Sequence, residues 1–338
     1  MPNNRGSALL TVLWLSAALA AIAFSVSSSV RAETDRVEAG SNGLRAWYLA
    51  TGAVERGIQW MSWGEEYHHP DGTPFWKFGA PRMNMSFPSG NAVVEMIPES
   101  SKLNVNQATV EDLTKVITVV SGDAERAHEI AMAIVDWRSG SAGPTAFDEY
   151  YFSLNPTFQA RHASFEDIEE LLFVRGMTPE IYYGNFVAGT GPDGAPGALY
   201  ASGGLRDCLS IWGSPGPFDV NAVSPALMTA IGVPPEGVAA IVARRTVAAF
   251  KDTNDMASLG VPTPRLTVGG NFIWTLRAAA RLKRPDGTPS ETVRTASATV
   301  KLVDRRRFQI PVHILRWSDD AWSESAILPP GTITPPQS

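Results

Sequence analysis

SALLTVLWLSAALAAIAFSVSSSV, Ser7 to Val30, runs for twenty-four residues without a charge, and its reading decides the fold. Arg5-Gly6 precedes it and Arg31 closes it. As a helix rising about 1.5 Å per residue it spans roughly 36 Å, enough to cross the hydrocarbon core of a bilayer. An ordinary secretory signal has an apolar region of about 7–15 residues, shorter than this one. The junction between polar leader and apolar run lies ahead of the run, at Gly6-Ser7. Arg5 favours holding that junction on the cytoplasmic face. Two plainer readings stay open. Ala21-Ile22-Ala23 offers an ordinary signal-peptidase site, and the stretch also suits a simple single-span anchor.

Beyond Arg31 the helical pattern continues. Leu44, Trp47, Tyr48, Thr51, Val54, Ile58 and Met61 recur at spacings of three and four, one face of an amphipathic helix. The spacing predicts one helix over about 7–62, with lipid around 7–30 and a folded domain against one side of the later part. Residues 63–90 are turn-rich, as in His69-Pro70-Asp71-Gly72. Ala92–Ile97 reads as a strand, and so do Gly270–Leu282, Thr292–Val303 and Arg307–Trp317. Between them, residues 103–255 read as helices and loops. The expected organisation is a leader at 1–6, the helix at 7–62, an α+β body from 63–102 and 256–325, an all-α insertion at 103–255 and a flexible tail at 326–338.

The insertion carries a weak internal repeat. Leu103-Asn104-Val105-Asn106-Gln107-Ala108-Thr109 echoes Phe218-Asp219-Val220-Asn221-Ala222-Val223-Ser224, and each leads into a helix. Thr109 with Asp112, Ser224-Pro225 and Thr178-Pro179 are helix-start signals without catalytic meaning.

Composition narrows the function classes. The chain has 338 residues, 44% hydrophobic, and a formal charge of −6, so it has the length and apolar content for a real core. An acidic chain is a poor non-specific nucleic-acid binder, because that binding is mostly phosphate neutralisation. Cys208 is the only cysteine, which rules out an intrachain disulfide, and a buried small hydrophobe is its ordinary role. One Cys and five scattered His give zinc no support. His68-His69 beside Glu65-Glu66 lacks the H-E-x-x-H spacing and reads as a polar loop. The Gly189–Gly194 run reads as a surface loop, and neither a Gly-x-Ser-x-Gly elbow nor a phosphate loop is present, so no catalytic residue is expected.

The Arg5-Gly6 junction resembles the class III signal of type IV pilin-like proteins, in which a prepilin peptidase cuts after the Gly and leaves the apolar helix in place. The insertion adds Asp136-Trp137-Arg138, Tyr150-Tyr151, Leu154-Asn155-Pro156, Phe165-x-x-Ile168-x-Glu170-Leu171 and Val174-Arg175-Gly176-Met177. In this order the phrases resemble the general secretion pathway protein K family, the minor pseudopilins of type II secretion. The resemblance runs from Arg5 to about Trp317. It implies a pilin-like α+β fold, with the N-terminal transmembrane helix packed on an antiparallel sheet and a large inserted α-domain with helix-hairpin-helix-like repeats. It also implies a processing site at Gly6 and Ser7, with Ser7 methylated after cleavage. The implied partners are other minor pseudopilins, the major pseudopilin, the prepilin peptidase, the inner-membrane secretion platform and lipid, with no nucleic acid. The implied location is the inner membrane, single-pass, with the bulk in the periplasm.

Two departures from the family matter. Pilins generally carry Glu at the fifth residue after the cut, and here Thr11 holds that place. A carboxylate in hydrocarbon costs roughly 2.5–3.5 kcal/mol, so a tip subunit with no neighbour above it gains nothing from one. Family members are also associated with calcium. In this chain Asp148, Glu149 and Asp136 are the candidate ligands, but Phe147 stands in a Glu place and Arg138 follows Asp136-Trp137. Calcium takes six to eight oxygen ligands, so the set is thin. The alternative is a membrane-anchored helix-hairpin-helix DNA-binding protein. Its hairpins would need to be basic, yet Asp123 and Glu236 stand there. Arg244-Arg245 and Arg305-Arg306-Arg307 are the dense basic runs, and they read as solvated faces.

Overall fold

A computed structural model of the chain describes residues 5–64, 66–77, 80–190, 196–201, 203–260, 262–270, 272–303 and 311–321. Leader residues 1–4, Glu65, the 191–194 part of the Gly-rich loop, the Arg305–Arg307 run and the tail 326–338 lie outside these. In chain order the elements are α1 (Arg5–Trp63), β1 (Arg82–Phe87), β2 (Gly90–Pro98), β3 (Leu103–Asn104), α2 (Val110–Ser121), α3 (Ala124–Arg138), α4 (Asp148–Phe152) and α5 (Pro179–Tyr183). They continue with β4 (Phe186–Thr190), β5 (Pro196–Ala201), β6 (Leu209–Ser210), β7 (Phe218–Asp219), α6 (Pro225–Ala230), α7 (Pro235–Val247), α8 (Thr253–Ala257), β8 (Leu266–Thr267), β9 (Ile273–Lys283), β10 (Pro289–Leu302) and β11 (Val312–Ser318).

The body is a five-stranded sheet in the order β1-β2-β9-β10-β11, antiparallel throughout. β2 and β9 are direct neighbours, with Val94 opposite Ala278, although the whole insertion separates them in the chain. The insertion therefore leaves and re-enters at one end of the sheet. One sheet face packs on the later part of α1. The contact is built from small residues: Ala46, Ala50, Ala53 and Gly57 on the helix against Ala92, Ala278, Ala280, Ala296 and Ala298 on the strands, all buried. Small side chains on both surfaces let the helix lie close to the strands.

This packing corrects the phase of the apolar stripe. Val54 and Met61 face the core as expected, but Leu44 and Tyr48 are exposed and Ala46, Leu49, Ala50 and Ala53 take their place. Bulky residues dominate a periodicity reading, while several of the positions that meet the sheet are held by Ala. β1 is a strand within the segment read as turn-rich.

The insertion has its own core, with Leu113, Ile117, Ile130, Ile134, Tyr151, Leu171, Leu205 and Leu227 among its buried residues. The all-α expectation needs correction here. β4 and β5 form an antiparallel hairpin, and β3 with β6 and β7 with β8 form short parallel pairs. Two-residue strands leave almost no alternation to read. Because β8 pairs with β7, Leu266 and Val268 pack with the insertion, which reaches past residue 255 by this measure.

Candidate functional site

Arg5, Gly6 and Ser7 lie in the first turn of α1. From Leu9 to Ser41 every residue of this helix is exposed, and burial begins at Gly43 and Ala46. The helix is long and apolar enough to cross a membrane. A surface that apolar, left uncovered on all sides, is consistent with a single-pass membrane anchor.

The insertion repeats one hydrogen-bonded frame twice. In the first copy Asn104 Oδ1 accepts from the Asn106 amide at 2.9 Å. Asn106 then pairs with the Phe165 backbone in both directions, accepting from its amide at 2.8 Å and donating to its carbonyl at 3.0 Å. In the second, Asp219 Oδ1 accepts from the Asn221 amide at 3.1 Å, and Asn221 pairs with Phe250 at 2.7 and 3.0 Å. Arg138 donates to the carbonyls of Val105 and Ala108, and Arg245 to those of Val220 and Val223. Asp167 and Asp252 cap the short helices that follow each Phe. The sequence repeat thus extends from the strand phrase through Arg138 and Arg245 to Phe165-x-Asp167 and Phe250-x-Asp252.

Arg245 is therefore an internal tie and not a solvated charge. Burial holds its pKa below the usual arginine value despite the nearby Asp219. Arg244 is also engaged, with its guanidinium 3.2 Å from Asp255 Oδ1. The basic pair expected on a solvated face corrects to two structural links: Arg245 supplies donors to backbone carbonyls ahead of α6, and Arg244 pairs with the Asp255 carboxylate.

The three candidate metal ligands do not converge. Asp148 is fully buried at the start of α4, and its Oδ2 accepts from the Thr145 amide at 2.8 Å and faces His162 Nε2 at 2.9 Å. Asp136 Oδ2 accepts from the Thr145 hydroxyl at 2.9 Å. Glu149 is exposed. Burial alone would raise the Asp148 carboxyl, but the Thr145 amide and the His162 ring outweigh it and hold its pKa below the usual range. Burial likewise opposes charge on His162, yet Asp148 and the carbonyls of Asp136 and Ser139 raise its pKa. Among the described residues no group of three or more His, Cys, Asp and Glu side chains could hold a metal. The sequence reading missed His162 because nothing local marks it.

The insertion meets the body at the polar face of the sheet. Arg316 of β11 pairs with Asp167 at the cap of the 3-10 turn Ile168–Phe173. Buried Glu99 and Lys102 pair at 3.5 Å, and Lys102 Nζ also donates to the Arg206 carbonyl at 3.0 Å. Burial would raise the Glu99 carboxyl, but Lys102 and neighbouring hydroxyls hold it low. Burial pushes the Cys208 thiol up to about 12, and its Sγ lies 3.2 Å from Ser224 Oγ.

A long apolar N-terminal helix whose later part lies along an antiparallel sheet, with a large insertion between adjacent strands, defines a pilin-like protein. Residues 91–184 match the family model of type II secretion system (T2SS), protein K. In the crystal structure of the GspK-GspI-GspJ complex from the enterotoxigenic Escherichia coli type 2 secretion system, one chain shares this fold. It has a TM-score of 0.55 and 15% identity, covering 85% of this chain and all of that one. No curated protein sequence matches. Residues 91–184 are thus similar to protein K of the type II secretion system, and the chain shares the fold of a chain in that complex.

Proposed function

We propose that this protein is a structural, non-enzymatic subunit at the tip of the type II secretion pseudopilus, where it joins other minor pseudopilins above the major pseudopilin. In that role it supports export of folded proteins across the outer membrane. Prepilin peptidase cuts between Gly6 and Ser7. Residues 7–30 then anchor the chain in the inner membrane, next to the secretion platform, with the bulk in the periplasm. The observation that carries this reading is α1 itself: one helix exposed on all sides as far as Ser41 and packed against a sheet only beyond it. An uncovered apolar half has two natural environments, lipid and the packed helices of a filament. Thr11 supports the tip position, since a subunit without an upper neighbour has no use for a carboxylate at that depth.

The experiment is processing in the native host. Protein recovered from membranes is expected to begin at Ser7, methylated, and Gly6→Leu is expected to leave the precursor unprocessed. An N-terminus at Phe24, or normal processing of Gly6→Leu, refutes the reading.

A further inference from the structure

We propose that His162 takes the place of a metal ion in the insertion, so that the loop after α3 is closed by an imidazole ring and takes no calcium. His162 has a backbone φ of +48°, a conformation uncommon for residues other than Gly and one that its contacts must sustain. Its Nε2 lies 2.9 Å from Asp148 Oδ2, and its Nδ1 lies 3.3 Å from the Asp136 carbonyl and 3.2 Å from the Ser139 carbonyl. Both ring nitrogens face acceptors, which suits a ring that carries a hydrogen on each. One side chain thereby links the end of α3, the loop after it and the start of α4. A bound cation would link the same carbonyls and carboxylate.

The remaining oxygens do not make a second site beside the ring. Calcium takes six to eight oxygen ligands. Asp148 Oδ2 already accepts from Thr145 and His162, Asp136 Oδ2 accepts from Thr145, and Glu149 points to solvent. Asp148 Oδ1 is buried without a hydrogen bond, and it is a single oxygen. The family resemblance suggests calcium, while in this chain an imidazole ring links the Asp136 and Ser139 carbonyls to the Asp148 carboxylate. The inference concerns the insertion alone and does not depend on assembly into a filament.

The test is thermal unfolding of the full-length protein in detergent, in EDTA and in millimolar calcium, for the wild type and His162→Ala. The wild-type midpoint is expected to be the same in both solutions. The His162→Ala midpoint in EDTA is expected to fall by roughly 3–10 °C. A wild-type midpoint raised by calcium, or a His162→Ala midpoint equal to the wild type in EDTA, overturns the proposal. Should the variant not fold, calorimetric titration of calcium into the wild type decides: absence of saturable binding supports the proposal and one-to-one binding overturns it.

Discussion

Asn106 and Asn221 each satisfy both backbone groups of a distant Phe, so one amide side chain fastens a loop far away in the chain. Removing it leaves a buried amide and carbonyl without partners, at a cost of about 1–3 kcal/mol. Asn106→Ala is expected to lose that much in urea unfolding, whereas Asn106→Asp, which keeps only an acceptor, is expected to lose the donor half. Arg245→Lys should also destabilise, because a single ammonium cannot reproduce the planar fork that serves two carbonyls. Cys208 makes a different prediction. With its pKa pushed up to about 12 and its side chain buried, the thiol is expected to resist maleimide in the native protein and to react after denaturation. The Asn phrases were legible as a repeat, but their partners, Phe165 and Phe250, were not, since 59 and 29 residues separate each pair.

At the scale of elements, α1 and the sheet are matched by size more than by hydrophobicity. The turn between β1 and β2 shows the same close approach. A Cβ on Gly90 would stand 2.2 Å from the Arg281 carbonyl oxygen, a backbone atom that cannot swing away. Gly90→Ala is therefore expected to destabilise the body by about 1–3 kcal/mol, measured by chemical unfolding. The existence of α1 could be read from its apolar run and its periodicity, and the three long strands from their composition. The buried face of α1 could not. Ala and Gly carry little weight in a hydrophobic pattern, yet here they form the seam, and the larger Leu44 and Tyr48 stay outside.

For the whole molecule, the seam between insertion and body is charged, and its strength should follow pH. Burial would raise the Asp167 carboxyl, but Arg316 outweighs it and holds its pKa far below the usual range. That stabilisation is complete above the unfolded value and is lost as pH falls through the folded one. Partial burial and the Asp167 carboxylate raise Glu169 to about 7. A raised carboxyl favours the folded state while protonated, and this contribution fades as pH climbs from the unfolded value of 4.5 through about 7. Glu169 is exposed at the surface, so salt should weaken the effect. Glu169→Gln is expected to flatten the decline in thermal stability between about pH 5 and pH 7, and Arg316→Ala to lower stability at neutral pH. By itself the sequence determined the membrane-length helix and the order of helix, strands, insertion and strands, because each is written in consecutive residues. Only the tertiary structure decided which face of α1 is covered, that β2 and β9 are neighbours, and that His162 meets Asp148. Those depend on residues far apart in the chain coming within a few ångströms, and no local pattern records such a distance.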